Sequence, residues 1–348
     1  MKKSDIIGLV LLAFVIGCRF IMPLADFYAE RCYPYISAVL SLIASVVPFS
    51  LEEVVIIGLA AVLIFILVRA IRRKEGFLGW LAKTARLAMW IVVWFYMGWG
   101  NNYFRTPLIP RIGIPRVSYE EEAFSSFLED YTEELNETST ASLSLDRKKL
   151  EADIKDFYSE VVSCFGYTPL RSWQHTKKPL LNLLYSADGV TGFMGPFLCE
   201  AQLNRDIPDV EYPFTMAHEL AHLAGVTSEA EANYWAYAYC RLSEDPAVRY
   251  SGHLGLLHYV SSSVDYFLPE EKGKEWAHTI SDKVLEDYFF LFDYWGEKRV
   301  DLFDDVQYWI MDLFLKSNGV SVGAKDYYGV IGILMTMDHS FDFSRKEY

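Results

Sequence analysis

The pattern of apolar and polar positions divides the chain into two unlike parts. Ile6–Leu24 is apolar except for Arg19, and Val54–Val68 is a run of fifteen residues with no charge. Leu87–Gly100 is a third apolar run, rich in Trp and Tyr. A bilayer span needs about 20 predominantly apolar residues, so the first run suffices alone and the other two need their flanks. The pattern predicts three spans, at about 6–24, 51–70 and 85–100. Trp90, Trp94, Phe95, Tyr96 and Trp99 favour a membrane–water boundary over a soluble core helix for the third. Tyr35–Phe49, between the first two, is apolar but ends at Pro48 and carries several Ser and Ala; it fits an interfacial segment or one packed on the spans.

Beyond residue 100 the period changes. Tyr119–Leu135 reads as an acidic helix, and Asn136–Ser144 as a Ser/Thr-rich linker. Leu150, Ile154, Phe157, Tyr158, Val161, Val162 and Phe165 recur at helical spacing, predicting an amphipathic helix over Asp146–Phe165. Between Tyr167 and Asn204, Pro and Gly punctuate short runs such as Leu180–Tyr185 and Gly192–Leu198, the pattern of a small sheet with turns. Helix-length stretches then follow at Thr215–Ala224, Ser228–Leu242, Gly255–Phe267, Ser281–Leu291 and Asp301–Leu315. The expected fold is α+β: N-terminal transmembrane helices, about three, then a mostly helical domain with a small β-sheet. The expected division is a membrane domain at 1–100 and an extracytoplasmic domain at 101–348.

Charge sharpens this division. The 348 residues are 52% apolar yet carry a net charge of −14. Residues 1–100 hold 10 of the 32 Lys and Arg and 6 of the 46 Asp and Glu, a net of +4; the other 248 hold 22 and 40, a net of −18. So acidic a body argues against nucleic-acid binding. Lys2 and Lys3 precede the first span, and Arg69, Arg72, Arg73, Lys74, Lys83 and Arg86 separate the second from the third. Basic loops stay in the cytoplasm, which places residues beyond Asn101 on the outer face of the cytoplasmic membrane. A cleaved signal peptide, or a lipoprotein box at Val15-Ile16-Gly17-Cys18, competes with an uncleaved first span; Arg19 and further apolar residues directly after Cys18 favour the uncleaved anchor. The five cysteines show no metal or redox spacing, and buried free thiols are the simpler reading over a Cys164–Cys199 bridge.

One motif carries chemistry. His218-Glu219-Leu220-Ala221-His222 is an HExxH between uncharged flanks. Four residues apart on a helix, both imidazoles face one ion, with Glu219 beside them as general base for a metal-bound water. Gly225 can end that helix, and Thr227 or Ser228 can cap the next. Glu229, in the first turn of the new helix, can face back as third ligand, in preference to Glu231; a solvated first-turn acid is the competing reading of either. Asn233 lies one turn further along, placed to take the ring N–H of a ligating His. Gly192-Phe193-Met194-Gly195 is the stretch able to pair with an extended peptide, an ordinary Gly/Pro loop being the competing reading. His253, His258, Tyr250 and Tyr259 could stabilise an oxyanion but read better as packed core residues.

HELAH followed by Glu-x-x-x-Asn resembles the gluzincin side of the zincin metallopeptidases. More closely, the chain resembles a bacterial family of unknown function with a few N-terminal spans and an HExxH outer domain. Besides the zinc motif, the stretches that carry this likeness are Pro48-Phe49-Ser50, Trp99–Leu108, Gly195–Ala201, Pro213-Phe214-Thr215 and Leu315–Gly319. The resemblance implies a zincin-like domain, a Zn2+ cofactor, and hydrolysis of peptide bonds in a peptide or protein substrate. HExxHxxG also opens the metzincin pattern, but its third His would fall at Ser228. The alternative function is a non-catalytic zinc-containing membrane protein that binds a partner through its acidic body; Glu219 favours catalysis, since a structural site needs no general base. Arg205, Asp206, Asp209 and Glu211, just before the motif, argue against a site inside the bilayer.

Overall fold

The structure, a computed structural model, describes residues 3–73, 76–117, 120–141, 144–320, 323 and 329–340. Lys2, Lys74, Tyr119 and part of the expected linker, 142–143, lie outside them. The described chain is mostly helical. Its first helices are α1 (Lys3–Phe20), α2 (Met22–Phe27), α3 (Tyr33–Ala44), α4 (Leu51–Arg72) and α5 (Phe77–Gly98). Then come α6 (Leu108–Ile112), α7 (Glu121–Thr138), α8 (Arg147–Glu160) and α9 (Asn182–Ala187). An antiparallel hairpin follows, β1 (Gly192–Gly195) and β2 (Glu200–Leu203), with Gly192 opposite Leu203 and Gly195 opposite Glu200. The rest is α10 (Tyr212–Leu223), α11 (Glu229–Leu242), α12 (Pro246–Phe267), α13 (Glu270–Ala277), α14 (Asp282–Lys298), α15 (Asp301–Ser317) and α16 (Val330–Ser340).

Among the described residues two helices, α4 and α5, are long and apolar enough to cross a membrane, and α1 makes a third if it and Met22–Ala44, bent by 116°, form one span. Twenty-two helical residues reach about 33 Å, against a hydrocarbon core of about 30 Å. The helix around the third expected span starts at Phe77 rather than near 85 and contains Lys83 and Arg86. The charge of Arg86 does not end it, because Asp5 of α1 neutralises it (Nε to Oδ1, 2.8 Å). That pair at one end and Arg19 over the Phe104 ring at the other make α1 and α5 run in the same direction.

At this second end the spans and the following chain share buried polar contacts. Ser50 caps α4, its Oγ accepting from the Glu53 N–H at 3.2 Å. Glu200 of β2 accepts from the N–H groups of Leu51 (3.2 Å) and Glu52 (2.9 Å), where the helix dipole favours a carboxylate, and from the buried Lys177 ammonium. Glu52 in turn accepts from Phe197 (3.1 Å) and Leu198 (2.9 Å) in the hairpin turn. A Cβ on Gly195 would sit 2.7 Å from the Glu52 side chain, so this crossing requires glycine. Glu53 takes the N–H groups of Leu180 and Leu181. Those donors are thereby lost to any strand, and the expected strand-like run Leu180–Tyr185 instead enters α9.

The remaining expected helices form with shifted ends: α12 starts at Pro246, nine residues earlier than expected, and α14 runs on to Lys298. Asp146 caps α8, accepting from Lys148 and Lys149. The core is continuous from Cys18, Tyr28, Tyr33 and Trp99 to Met216, Leu220, Val226 and Trp235. All five cysteines are free. Cys164 is exposed whereas Cys199 is buried with its thiol on the Gly98 carbonyl, so the possible bridge between them does not form.

The Lys177–Glu200 pair is buried at both ends. Glu200→Ala should cost about 3–5 kcal/mol by stranding the ammonium. Lys177→Met with Glu200→Leu should cost less. Denaturant unfolding of the detergent-solubilised full chain measures both; equal losses would show that the pair is not the fastening.

Candidate metal centre

Helix α10 accepts Pro213 in its first turn, where a missing N–H costs no hydrogen bond. Its apolar positions Met216, Ala217, Leu220, Ala221 and Leu223 are buried, which leaves His218, Glu219 and His222 on the remaining face. The helix stops at Gly225, whose φ of +100° is left-handed. A Cβ there would also meet the Tyr33 ring at 3.1 Å. The Val226 N–H returns to the Ala221 carbonyl (3.1 Å), and Ser228 caps α11, its Oγ accepting from Glu231 (3.3 Å). This tight reversal turns the first residue of α11, Glu229, back onto α10.

His218 Nε2, His222 Nε2 and Glu229 Oε2 converge. The two nitrogens are 3.1 Å apart, and each lies 3.3 Å from the oxygen. Ligands held about 2.0–2.1 Å from a tetrahedral ion are about 3.3–3.4 Å from each other, so these three atoms already form one face of such a polyhedron. The outer ring nitrogens set the tautomers. His222 Nδ1 lies 2.8 Å from the Val226 carbonyl, which only accepts, and His218 Nδ1 lies 2.8 Å from Asn233 Oδ1. With the protons on Nδ1, both Nε2 lone pairs point at the same spot as the carboxylate. Only positive charge makes that stable. Accordingly, burial pushes His222 down but Glu229 overrides it, raising His222 to about 9. Burial likewise opposes ionisation of Glu229, and His222 and His218 nevertheless hold its pKa well below the usual carboxylate range. A divalent cation among the three atoms answers the same demand, and two imidazoles with one carboxylate suit a borderline ion.

Glu219 completes the group. Burial raises its pKa to about 7, partly offset by His218 and His222. Its Oε2 is buried with no hydrogen-bond partner among the described residues. A Cβ on Gly192 of β1 would lie 2.5 Å from Glu219 Oε1, so the strand passes directly against this carboxylate, and a side chain there would displace it.

The structure therefore brings His218, Glu219, His222, Glu229 and Asn233 together, with Gly192 at the same point. Phe193, Met194 and Gly195 continue β1, Phe193 being exposed and Met194 buried. Glu231 is placed elsewhere, accepting from the Leu108 N–H (3.0 Å) and the Tyr167 hydroxyl. The oxyanion residues considered from sequence have other partners: His253 contacts Tyr237 and Glu134, and Tyr250 donates to Asp287. His258 is exposed and stacks its ring edge-on to Tyr259. Sequence reasoning missed two supports. Trp99 Nε1 donates to the His222 carbonyl at 2.9 Å, and the Tyr185 hydroxyl, held neutral by burial and by the Glu53 and Glu219 carboxylates, stands near the group. Trp99 carried only the signal of a boundary aromatic, and Tyr185 none.

Residues 28–335 match the family described as Protein of unknown function (DUF3810). No curated protein and no solved structure matches the chain.

The full chain should take up about one Zn2+ per molecule, read by metal analysis after dialysis. His218→Ala with His222→Ala should abolish uptake, Glu229→Ala should weaken it strongly, and Glu231→Ala should leave it. Asn233→Ala should lower affinity by about 10–100-fold, the usual effect of losing a partner behind a ligating His.

Proposed function

The chain belongs to this family of unknown function, and we propose from its own residues that it is a membrane-anchored, zinc-dependent peptidase with a zincin-like catalytic domain. The observation that carries the reading is Glu219: a buried carboxylate oxygen without a hydrogen-bond partner among the described residues, next to three converging ligand atoms. A purely structural metal site gains nothing from it. His218, His222 and Glu229 would hold the ion. When bound, Zn2+ would acidify a water and polarise a carbonyl.

The chain's own groups account for the rest. Glu219 Oε2 takes a proton from the attacking water as its oxygen bonds to the carbonyl carbon, and then delivers that proton to the amine nitrogen as the C–N bond breaks. Val226 and Asn233 keep both imidazoles in the ligating tautomer. Strand β1 offers backbone groups to an extended peptide, and Gly192 lets that peptide's path run against Glu219. The basic residues Arg69, Arg72, Arg73, Lys83 and Arg86 lie at or toward the end of α4 and α5 remote from the body, which supports an outer placement of the site.

Two experiments test this reading. Random-sequence peptides, free or coupled to phospholipid, are supplied to the reconstituted full chain. Hydrolysis of at least one form is expected, with Glu219→Gln keeping the metal and losing at least about a hundredfold in rate. Gly192→Ala should also keep the metal and lose activity by displacing Glu219. Full activity in Glu219→Gln would overturn the assignment. The exposed Cys164 should react with an impermeant maleimide in intact cells; protection there, with labelling after lysis, would place the body inside.

A further inference from the structure

We propose that the substrate is a polypeptide segment lying against the bilayer, the juxtamembrane stretch of a membrane-anchored protein, and that an apolar rim around β1 is seated in lipid at the body's end of the spans. This rests on the peptidase reading. The ligand helix and the strand beside it are built directly on the span ends. Trp99, which holds the His222 carbonyl, immediately follows Gly98, the last residue of α5. The hairpin turn is held by Glu52, the second residue of α4, and by Trp94 of α5, whose Nε1 donates to the Phe197 carbonyl at 2.8 Å. The metal centre and β1 therefore cannot stand off from the span ends on a stalk.

Two exposed apolar stretches adjoin the apolar helices, and the first also touches β1. Leu180, Leu181, Leu183 and Leu184 are exposed, Leu183 by 80%. Glu53 at the start of α4 holds the N–H groups of the first two. Tyr185, next in line, sets its ring edge against Phe193 of β1 at 6.5 Å. At the end of α5, α15 packs Phe314 against Phe95 (ring centroids 5.7 Å apart), and Asn318 accepts from the Tyr96 hydroxyl at 2.9 Å. It leaves Tyr308, Trp309, Ile310 and Leu313 exposed. Large aliphatic side chains in water at this density are costly, and a Trp and a Tyr beside them suit the headgroup boundary. The occupant is the lipid of the adjoining leaflet. A peptide that reaches β1 past this rim travels along the membrane surface, where tethering raises its effective concentration.

The full chain in phosphatidylcholine/phosphatidylglycerol nanodiscs tests the rim without any turnover. With Cys164→Ser removing the exposed native thiol, a nitroxide at Leu183→Cys should be relaxed by oxygen and shielded from a water-soluble nickel chelate. Chelate access equal to that of a nitroxide on Cys164 in the native chain would overturn the proposal. In the cleavage assay, lipid-coupled peptides should be cut about a hundredfold faster than free ones. The cuts should fall within about ten residues of the anchor, some 35 Å of extended chain. Leu183→Glu with Leu184→Glu should remove that advantage with the metal retained. Equal rates on free and coupled peptides would overturn the substrate class and leave the peptidase reading standing. No hydrolysis of either would remove the peptidase reading and the substrate class with it.

Discussion

Two imidazole nitrogens and a carboxylate oxygen within 3.3 Å of one another, all presenting lone pairs to one point, demand a positive charge between them. The surrounding structure can be understood as what holds that crowding in place. The Val226 carbonyl and Asn233 fix the rings. The left-handed Gly225 sets the angle at which α11 returns, and Ser228 starts that helix so that its first residue, Glu229, is the one facing inward. The absence of a side chain at Gly192 lets a strand close over Glu219.

Much of this was legible because it is local. HExxH, the helix stop at 225 and the cap at 228 lie within a dozen residues, and helical spacing alone separates Glu229 from Glu231. The structure adds the reason for the separation, since Glu231 is occupied by Tyr167 and the Leu108 N–H. What could not be read is carried by contacts far apart in sequence. Leu180–Tyr185 has the composition of a strand, and it enters a helix because an acid 127 residues away captures its amides. Helix α5 starts at Phe77, before the expected span, and Arg86, which precedes the apolar run in sequence, lies within the helix paired with Asp5. Trp99 meets His222 across 123 residues.

The acids at the start of α4 illustrate how a membrane protein uses charge at its borders. Glu52, Glu53 and Glu200 are buried, and each spends its oxygens on backbone N–H groups that would otherwise be orphaned where helix, hairpin and loop meet. A cation, Lys177, pairs with Glu200. In sequence these residues interrupt an apolar stretch; in space they form the seam between it and the acidic body.

The Trp99 indole changes what the anchor is. Trp99 directly follows α5 and donates to the His222 carbonyl, the Tyr33 hydroxyl donates to the Leu223 carbonyl, and the Glu52 carboxylate holds the hairpin turn. A fragment beginning at Asn101 would lack all three of these groups, which position α10 and β1. The candidate centre is therefore built jointly by the apolar helices and the acidic body, and neither part carries its full geometry alone.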